Sequence, residues 1–218
     1  MLEDARLVAQ ISNCDETLYS ERLFRDLGEA QTKAKFHLKE IDLFAVTTGP
    51  GSFTGLRVGL TAVKGWAEIY QKPIAGVSVL LAVAAQSKVK AGVVGAFMDA
   101  RRGQVFGALY QKAGGERQSW RLLGEEALLS AEEFLACVRS ECGAELSPLV
   151  SSTPEALKAG TVAALLPGSE IEAVSKVLAP VVGRLGYERA LSGELQNALN
   201  LDANYIRRSD AEVLWKGA

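Results

Sequence analysis

A chain of 218 residues can bury one good core or two small ones, and 48% hydrophobic with 23% charged residues is ordinary for a globular protein. A net charge of −2 supplies no global basic field to draw the chain onto nucleic acid. The three scattered cysteines (Cys14, Cys137, Cys142) make no disulfide framework and point to a reducing cytosol, the charged start Met1–Arg6 does not read as a signal peptide, and no apolar run is long enough to cross a membrane.

In chain order, residues 5–11 predict a short strand ended by Ser12-Asn13-Cys14-Asp15. Leu18, Leu23, Leu27, Ala30 and Ala34 then recur near the helical period, so a helix is expected from about Glu16, with Asp15 or Thr17 as its N-cap. Residues 43–47 read as a strand that breaks at Gly49-Pro50-Gly51, where glycine and proline impose a tight turn. Ser52 and Thr54 can offer side-chain oxygens to the free N–H groups of a helix starting near Gly55 and running to about Gln71, where Lys72-Pro73 stops it. A strand over 74–78 and an apolar helix over 79–86 complete a β-α-β-α-β-α pattern, which implies an α/β layered domain.

The second half opens differently. Residues 93–98 and 104–110 predict two strands joined by the turn Asp99-Ala-Arg-Arg-Gly103, and Gly114-Gly115 turns the chain toward a third strand over 118–123. Ser130-Ala-Glu-Glu133 is a capping box that opens a helix through Phe134, Leu135 and Val138. Strands are expected near 149–150 and 161–166, followed by a helix over 171–185, bent or broken before Pro180. The division falls near residue 90, giving 1–90 and 91–218 as two α/β units.

The stretch Val46–Leu60 joins a strand, a glycine-rich loop and a helix N-terminus, which suits an anion or a closely approaching backbone. It is not a P-loop: five residues separate Gly49 from Gly55, and Leu56-Arg57 follows. Nor is it a dinucleotide fingerprint, since the third glycine comes one position late and the next strand carries no acid. Gly55 and Gly59 share one helix face, continued by Ala62 and Val63, and serve either close packing on the chain's own sheet or the approach of a second helix from another chain. His37, the only histidine, reads as a solvated residue at a helix end, and Cys137-x4-Cys142 lacks the neighbours of a metal site. Arg101 and Arg102 read as a solvated hairpin tip or as a basic contact with a partner or RNA phosphate, and Arg207 and Arg208 have the same two readings. Glu132-Glu133 reads as first-turn helix charge and Glu125-Glu126 as an exposed face.

The run Thr48–Leu60 with Lys64-Gly65 resembles the signature of the bacterial TsaB family, also called glycoprotease-like. Tyr19-Ser-Glu-Arg-Leu23, Asp99–Val105 and Tyr205–Glu212 match the family's pattern in order, with Tyr19 where the family usually has histidine. The resemblance implies a degenerate, duplicated fold of the actin/Hsp70/sugar-kinase type, with two α/β subdomains. The first is expected to be truncated at its N-terminus, because the family opens with a further strand before anything like Arg6–Ile11. The resemblance also implies a non-catalytic subunit of the assembly that forms N6-threonylcarbamoyladenosine at position 37 of tRNAs reading ANN codons. Its expected partners are a catalytic TsaD-type subunit, a TsaE-type ATPase in the larger complex, tRNA indirectly, and a second copy when alone; a cytoplasmic place, no cofactor and no membrane are implied. Catalytic relatives carry a His-x-x-x-His metal motif, which this sequence lacks, and Arg101 and Arg102 stand where ATP-using members of the fold have small residues. The expected partner surface is the helix pair, through Leu18, Arg22, Leu23 and Leu27 on the first helix and Gly55, Arg57, Gly59 and Val63 on the second. Gly49, Pro50, Gly51, Ser52, Thr54 and Gly55 would contact a nucleotide or a backbone. The competing readings are a small ATP-dependent phosphotransferase using that loop, and a peptidase suggested only by the family's older name.

Overall fold

The computed structural model describes residues 1–4, 6–13, 19–114, 119–142 and 148–206. The chain forms two compact units, one from Met1–Val79 with Val177–Tyr205 and the other built on Leu80–Lys176. The division expected near residue 90 is therefore corrected in two respects: the first crossing comes about ten residues earlier, and residues 177–205 return to the first unit.

The first unit opens with a hairpin, β1 (Leu2–Glu3) against β2 (Arg6–Leu7), so the strand expected over 5–11 stops short. Helix α1 spans Tyr19–Ala34; Leu18 and the expected caps Asp15 and Thr17 lie outside the described residues. Lys35, in the left-handed region at φ 54°, ends the helix, and His37 is exposed beyond it. Strand β3 (Phe44–Gly49) leads into α2 (Phe53–Tyr70) and on to β4 (Ile74–Ser78), which pairs parallel to β3 from Phe44↔Ile74 to Thr47↔Val77. Leu60, Val63 and Ala67 of α2 bury against Phe44 and Ile74. Helix α3 (Val79–Ala84) follows, its residues all buried, and from Leu80 on it belongs to the second unit.

In the second unit, β5 (Gly92–Asp99), β6 (Gln104–Lys112) and β7 (Trp120–Ser130) form the expected antiparallel meander. Strand β7 is longer than its sequence suggests, because Gly124, at φ 74°, lets it continue past a register shift opposite Gly107–Leu109. Glu126 is thereby half-buried and accepts a hydrogen bond from the buried Tyr110 hydroxyl, so the pair Glu125-Glu126 is not simply an exposed face. The capping box closes as expected: Glu133 N–H donates to Ser130 Oγ (3.2 Å) and Ser130 N–H to Glu133 Oε2 (2.7 Å), opening α4 (Ala131–Cys142). Strand β8 (Leu149–Ser151) pairs parallel to β5.

The next segment reverses two expectations. Residues 161–165 belong to a helix, α5 (Ala159–Leu165), and Ile171–Ala173 is β9, parallel to β8. A short apolar run such as 161–166 does not distinguish strand from helix by period alone, and Ile171–Ala173 is too short to show any period. The sheet order is β7-β6-β5-β8-β9. Its core gathers Phe97, Phe134, Leu135, Val138, Leu149 and Val162. Gly107 makes room for the Phe134 ring, since a Cβ there would lie 2.5 Å from Phe134 Cδ2.

The chain then returns to the first unit as α6 (Ala179–Leu191). Pro180 sits in its first turn, where the missing N–H costs nothing, so this proline starts a helix rather than bending one. Gly186 seats α6 on the second face of the parallel pair: a Cβ there would stand 2.7 Å from that of Ala45 and 3.2 Å from that of Ala75. The β3–β4 pair thus lies between α2 and α6.

Candidate functional site

The loop Gly49–Ser52 begins where β3 ends. Gly49 has φ 115° and joins Pro50 by a cis peptide. A Cβ at Gly49 would stand 2.7 Å from the Asn204 carbonyl oxygen, and Asn204 N–H donates to Thr48 O at 2.7 Å. The backbone that approaches this glycine so closely is the chain's own, arriving from beyond α6. Gly49 and Pro50 are buried, while Gly51, Ser52 and Thr54 are exposed. Helix α2 starts at Phe53, two residues before the position expected from sequence, with Ser52 as N-cap, its Oγ accepting from Gly55 N–H at 3.3 Å.

The segment after α6 acts as a strap over the edge of β4. Gln196 exchanges two backbone hydrogen bonds of 2.8 Å with Ile74, and its side-chain oxygen accepts from Gly76 N–H at 3.1 Å. Arg189 donates to Gly76 O. An open strand edge is a template for unwanted pairing, and here two side chains and one bridging residue seal it. Asn197 Oδ1 accepts from Leu199 and Asn200 N–H groups, at 3.0 and 2.9 Å, which turns the strap toward the fully buried Leu201. Asp202 then faces Lys64 of α2 at 3.9 Å. Tyr205 closes the strap against Phe53, with ring centroids 5.1 Å apart.

Helix α2 carries two faces. Leu56, Leu60, Val63 and Ala67 are buried. Val63, expected on the partner surface, belongs instead to the core with Phe44 and Ile74, because residues 56, 60, 63 and 67 form one helical stripe. Gly59 lies beside that stripe and opens outward: a Cβ there would meet nothing within 4 Å, and the same holds at Gly65. Further along, Ile69 is 73% exposed. Helix α1 rests on this side of α2, where Phe24 meets the Trp66 ring edge-on at 6.2 Å while remaining 60% exposed. Leu23, Leu27 and Arg22 are half-buried, with Arg22 3.9 Å from Asp26, so the exposed apolar group of α1 is Phe24 rather than the leucines. No described residue of α1 is fully buried. Sequence reading missed Phe24, Phe53, Trp66, Ile69 and Tyr205; the one local signal was an aromatic residue four positions before an arginine, at Phe53 and Arg57.

Elsewhere, Arg101 and Arg102 sit exposed at the β5–β6 hairpin tip with φ 65° and 58°, followed by Gly103 at 72°. Asp99 steadies this turn by accepting from Arg101 N–H at 2.8 Å, and Thr153 Oγ1 accepts from Asp99 N–H at the same distance. Arg207 and Arg208 lie outside the described residues. Among the described residues no group of three or more His, Cys, Asp or Glu side chains is placed to hold a metal ion, and no helix is long and apolar enough to cross a membrane.

The family model described as TsaD: tRNA N6-adenosine threonylcarbamoyltransferase matches residues 16–177. The chain is 40% identical over 77 residues to the Bacillus subtilis tRNA threonylcarbamoyladenosine biosynthesis protein TsaB, covering 35% of this chain and 34% of that protein. It is 34% identical over 116 residues to the Escherichia coli protein of the same name, covering 52% of this chain and 49% of that one. The matched regions thus span half or less of these relatives' own length. The solved structure of YeaZ from Pseudomonas aeruginosa superposes with a TM-score of 0.68 at 27% identity, over 86% of this chain and 84% of that one. The fold is of the α/β actin-like type.

Proposed function

The chain belongs to the TsaD (tRNA N6-adenosine threonylcarbamoyltransferase) family, with its relatives on the TsaB side, and from that premise we propose that it is a non-catalytic partner subunit in the formation of N6-threonylcarbamoyladenosine at position 37 of tRNAs reading ANN codons. Its role is to hold a TsaD-type catalytic subunit in its active state. The observation that carries this reading is the outward-facing side of α2, where Gly59 has open space in place of a side chain; the same pair of helices, α1 and α2, leaves Phe24 and Ile69 exposed. A helix from a related chain fits such a surface closely, because small residues let helix axes approach. The same face would support a homodimer when the catalytic subunit is absent, and a TsaE-type ATPase would join the larger complex, all in the cytoplasm.

The ATP-dependent phosphotransferase reading is not favoured. The space next to Gly49 that would receive a ligand holds the backbone of Asn204. The turn after β5, which would have to cradle phosphate, carries Arg101 and Arg102 in place of small residues.

The test is transfer of the threonylcarbamoyl group to tRNA lacking the modification, scored by nucleoside mass spectrometry. The TsaD-type subunit from the same genome should require this chain for transfer, and this chain alone should transfer nothing. Full activity without the chain, or transfer by the chain alone, would overturn the reading.

A further inference from the structure

Resting on that reading of α2 as a partner face, we infer that Tyr205 is a positioning residue for it. Its ring braces the first turns of α2 and so sets how much of the partner-facing helix is formed before a partner arrives. The local sequence holds these turns weakly. Gly55 and Gly59 fall in the first two turns, and a glycine in a helix interior weakens the helix about fivefold relative to alanine. The first turn has no acidic residue to meet the helix dipole, and the cap bond from Gly55 N–H to Ser52 Oγ is long, at 3.3 Å. Of residues 51–56, only Leu56 is buried.

A segment distant in sequence supplies the hold. The strap after α6 is anchored by Leu201, fully buried with Leu60, Val63 and Ala67 of α2. Asn204 N–H donates to Thr48 O at 2.7 Å, which fixes the backbone next to Tyr205. From there the Tyr205 ring meets Phe53, the first residue of α2, with centroids 5.1 Å apart. Arg57, one turn on, joins both rings. Its guanidinium carbon lies 3.9 Å from the centre of the Phe53 ring, and its Nε–H donates to the Tyr205 hydroxyl at 3.4 Å. Two successive turns of α2 are thus tied by a side chain 148 residues beyond Arg57.

The brace and the partner face lie on different flanks of the helix. At about 100° per residue, Phe53, Arg57 and Lys64 share one flank, which the strap covers from Asp202 to Tyr205. Gly59 lies about 200° around the helix from Arg57, so Tyr205 acts on it only through α2 itself. The Tyr205 ring is 45% exposed, which makes the brace a surface contact that opens locally while the core stays folded. Two states follow: in one the first two turns are helical and Gly59 is in place, and in the other they are frayed. A partner that docks on the formed helix meets only the closed fraction, and its apparent affinity falls with that fraction.

The experiment uses the intact chain. Amide exchange read by mass spectrometry follows residues 53–60, calorimetry follows binding to the purified TsaD-type subunit from the same genome, and thermal melting checks the fold. Tyr205→Ala should speed exchange over 53–60 by about two- to tenfold, the worth of one aromatic pair, with β3 and β4 unchanged. Binding should weaken by no more than that factor, since only the closed fraction is lost. Tyr205→Phe keeps the ring and should return both readouts to near the wild-type values. Unchanged exchange over 53–60 in Tyr205→Ala overturns the brace, and so does a speed-up spread equally over β3 and β4. Faster exchange with unaltered affinity overturns the link to the partner face. A fall in affinity larger than the exchange factor overturns the positioning role, because Tyr205 would then touch the partner itself. Failure of the wild-type chain to bind overturns the partner reading and the link with it, while exchange on the free chain still decides the brace.

Discussion

Replacing Gly59 with leucine separates the two readings of the glycine ridge. If the ridge packed on the chain's own sheet, a four-carbon side chain would have to force its way into a filled space, at a cost of about 1–3 kcal/mol. The structure places nothing within 4 Å of a Cβ at this position. Gly59 lies inside a helix of 18 residues, without the positive φ that would penalise a side chain. What remains is helix propensity, which favours leucine over glycine by about 0.8 kcal/mol in a helix interior. The isolated Gly59→Leu protein should therefore melt a few degrees higher, at roughly 2–4 °C per kcal/mol for a chain of this size. Against a partner helix the sign reverses: a seam closed by glycine must open or repack, at about 1–3 kcal/mol, or about 5- to 150-fold in affinity. Differential scanning calorimetry on the free protein and sedimentation velocity on the mixture with the TsaD-type subunit measure the two effects separately. A lower melting temperature would show that the ridge is filled from within. A stabilised mutant that binds with undiminished affinity would show that the ridge faces solvent and nothing else.

Gly76→Ala should destabilise the first unit by about 1–3 kcal/mol in urea denaturation, because a Cβ there would lie within 3 Å of Gln196 Oε1, Thr48 Cγ2 and Leu201 Cδ1; an unchanged midpoint would mean the strap does not rest on β4. Phe134→Ala should cost about 3–5 kcal/mol, the range for removing a buried phenyl ring from a core, here one packed beside Phe97 and under Gly107; a loss below about 1 kcal/mol would contradict that packing. The Glu133 carboxyl is held below the usual glutamate range, chiefly by the Ser130 backbone N–H and then by the Ser130 hydroxyl. Its stabilising contribution is therefore complete at neutral pH and is lost as pH falls through the lowered value; Ser130→Ala should move the NMR titration of Glu133 part of the way back up, and no movement would place the hydroxyl elsewhere.

The sequence was most informative where local chemistry decides structure. The capping box at Ser130–Glu133 and the antiparallel meander from β5 to β7 could be read directly, because a cap and two turns need only neighbouring residues. Residues 161–166 are expected as a strand and 171–185 as a helix, and both expectations fail: a six-residue apolar run such as 161–166 reads as either type of element, and the three-residue strand at 171–173 is too short to show a period. Pro180 misled for a related reason: a proline that breaks a helix interior is equally at home in a first turn, and the run before it fixed neither. The return of residues 177–205 to the first unit is a long-range event, carried by Gly186 against Ala45 and Gln196 against Ile74. Nothing within 100 residues of either contact announces it.

Glycine shows why the candidate site was only partly legible. Gly49, Gly55 and Gly59 belong to one short motif, yet what a side chain would meet differs completely between its two ends. At Gly49 the space is taken by Asn204, 155 residues away in sequence, and the residue has a positive φ besides, so two requirements coincide on one position. At Gly59 neither requirement exists: the backbone is helical and the space is open. A glycine that the chain's own fold does not require lowers helix stability by about 1 kcal/mol, which an interior helix position ordinarily avoids by using alanine. The same reasoning applies at Gly65, further along the helix, where a Cβ would again meet nothing. Two such positions on α2, in a pair of helices that also exposes a phenylalanine and an isoleucine, are what the proposed docking of a partner helix would use.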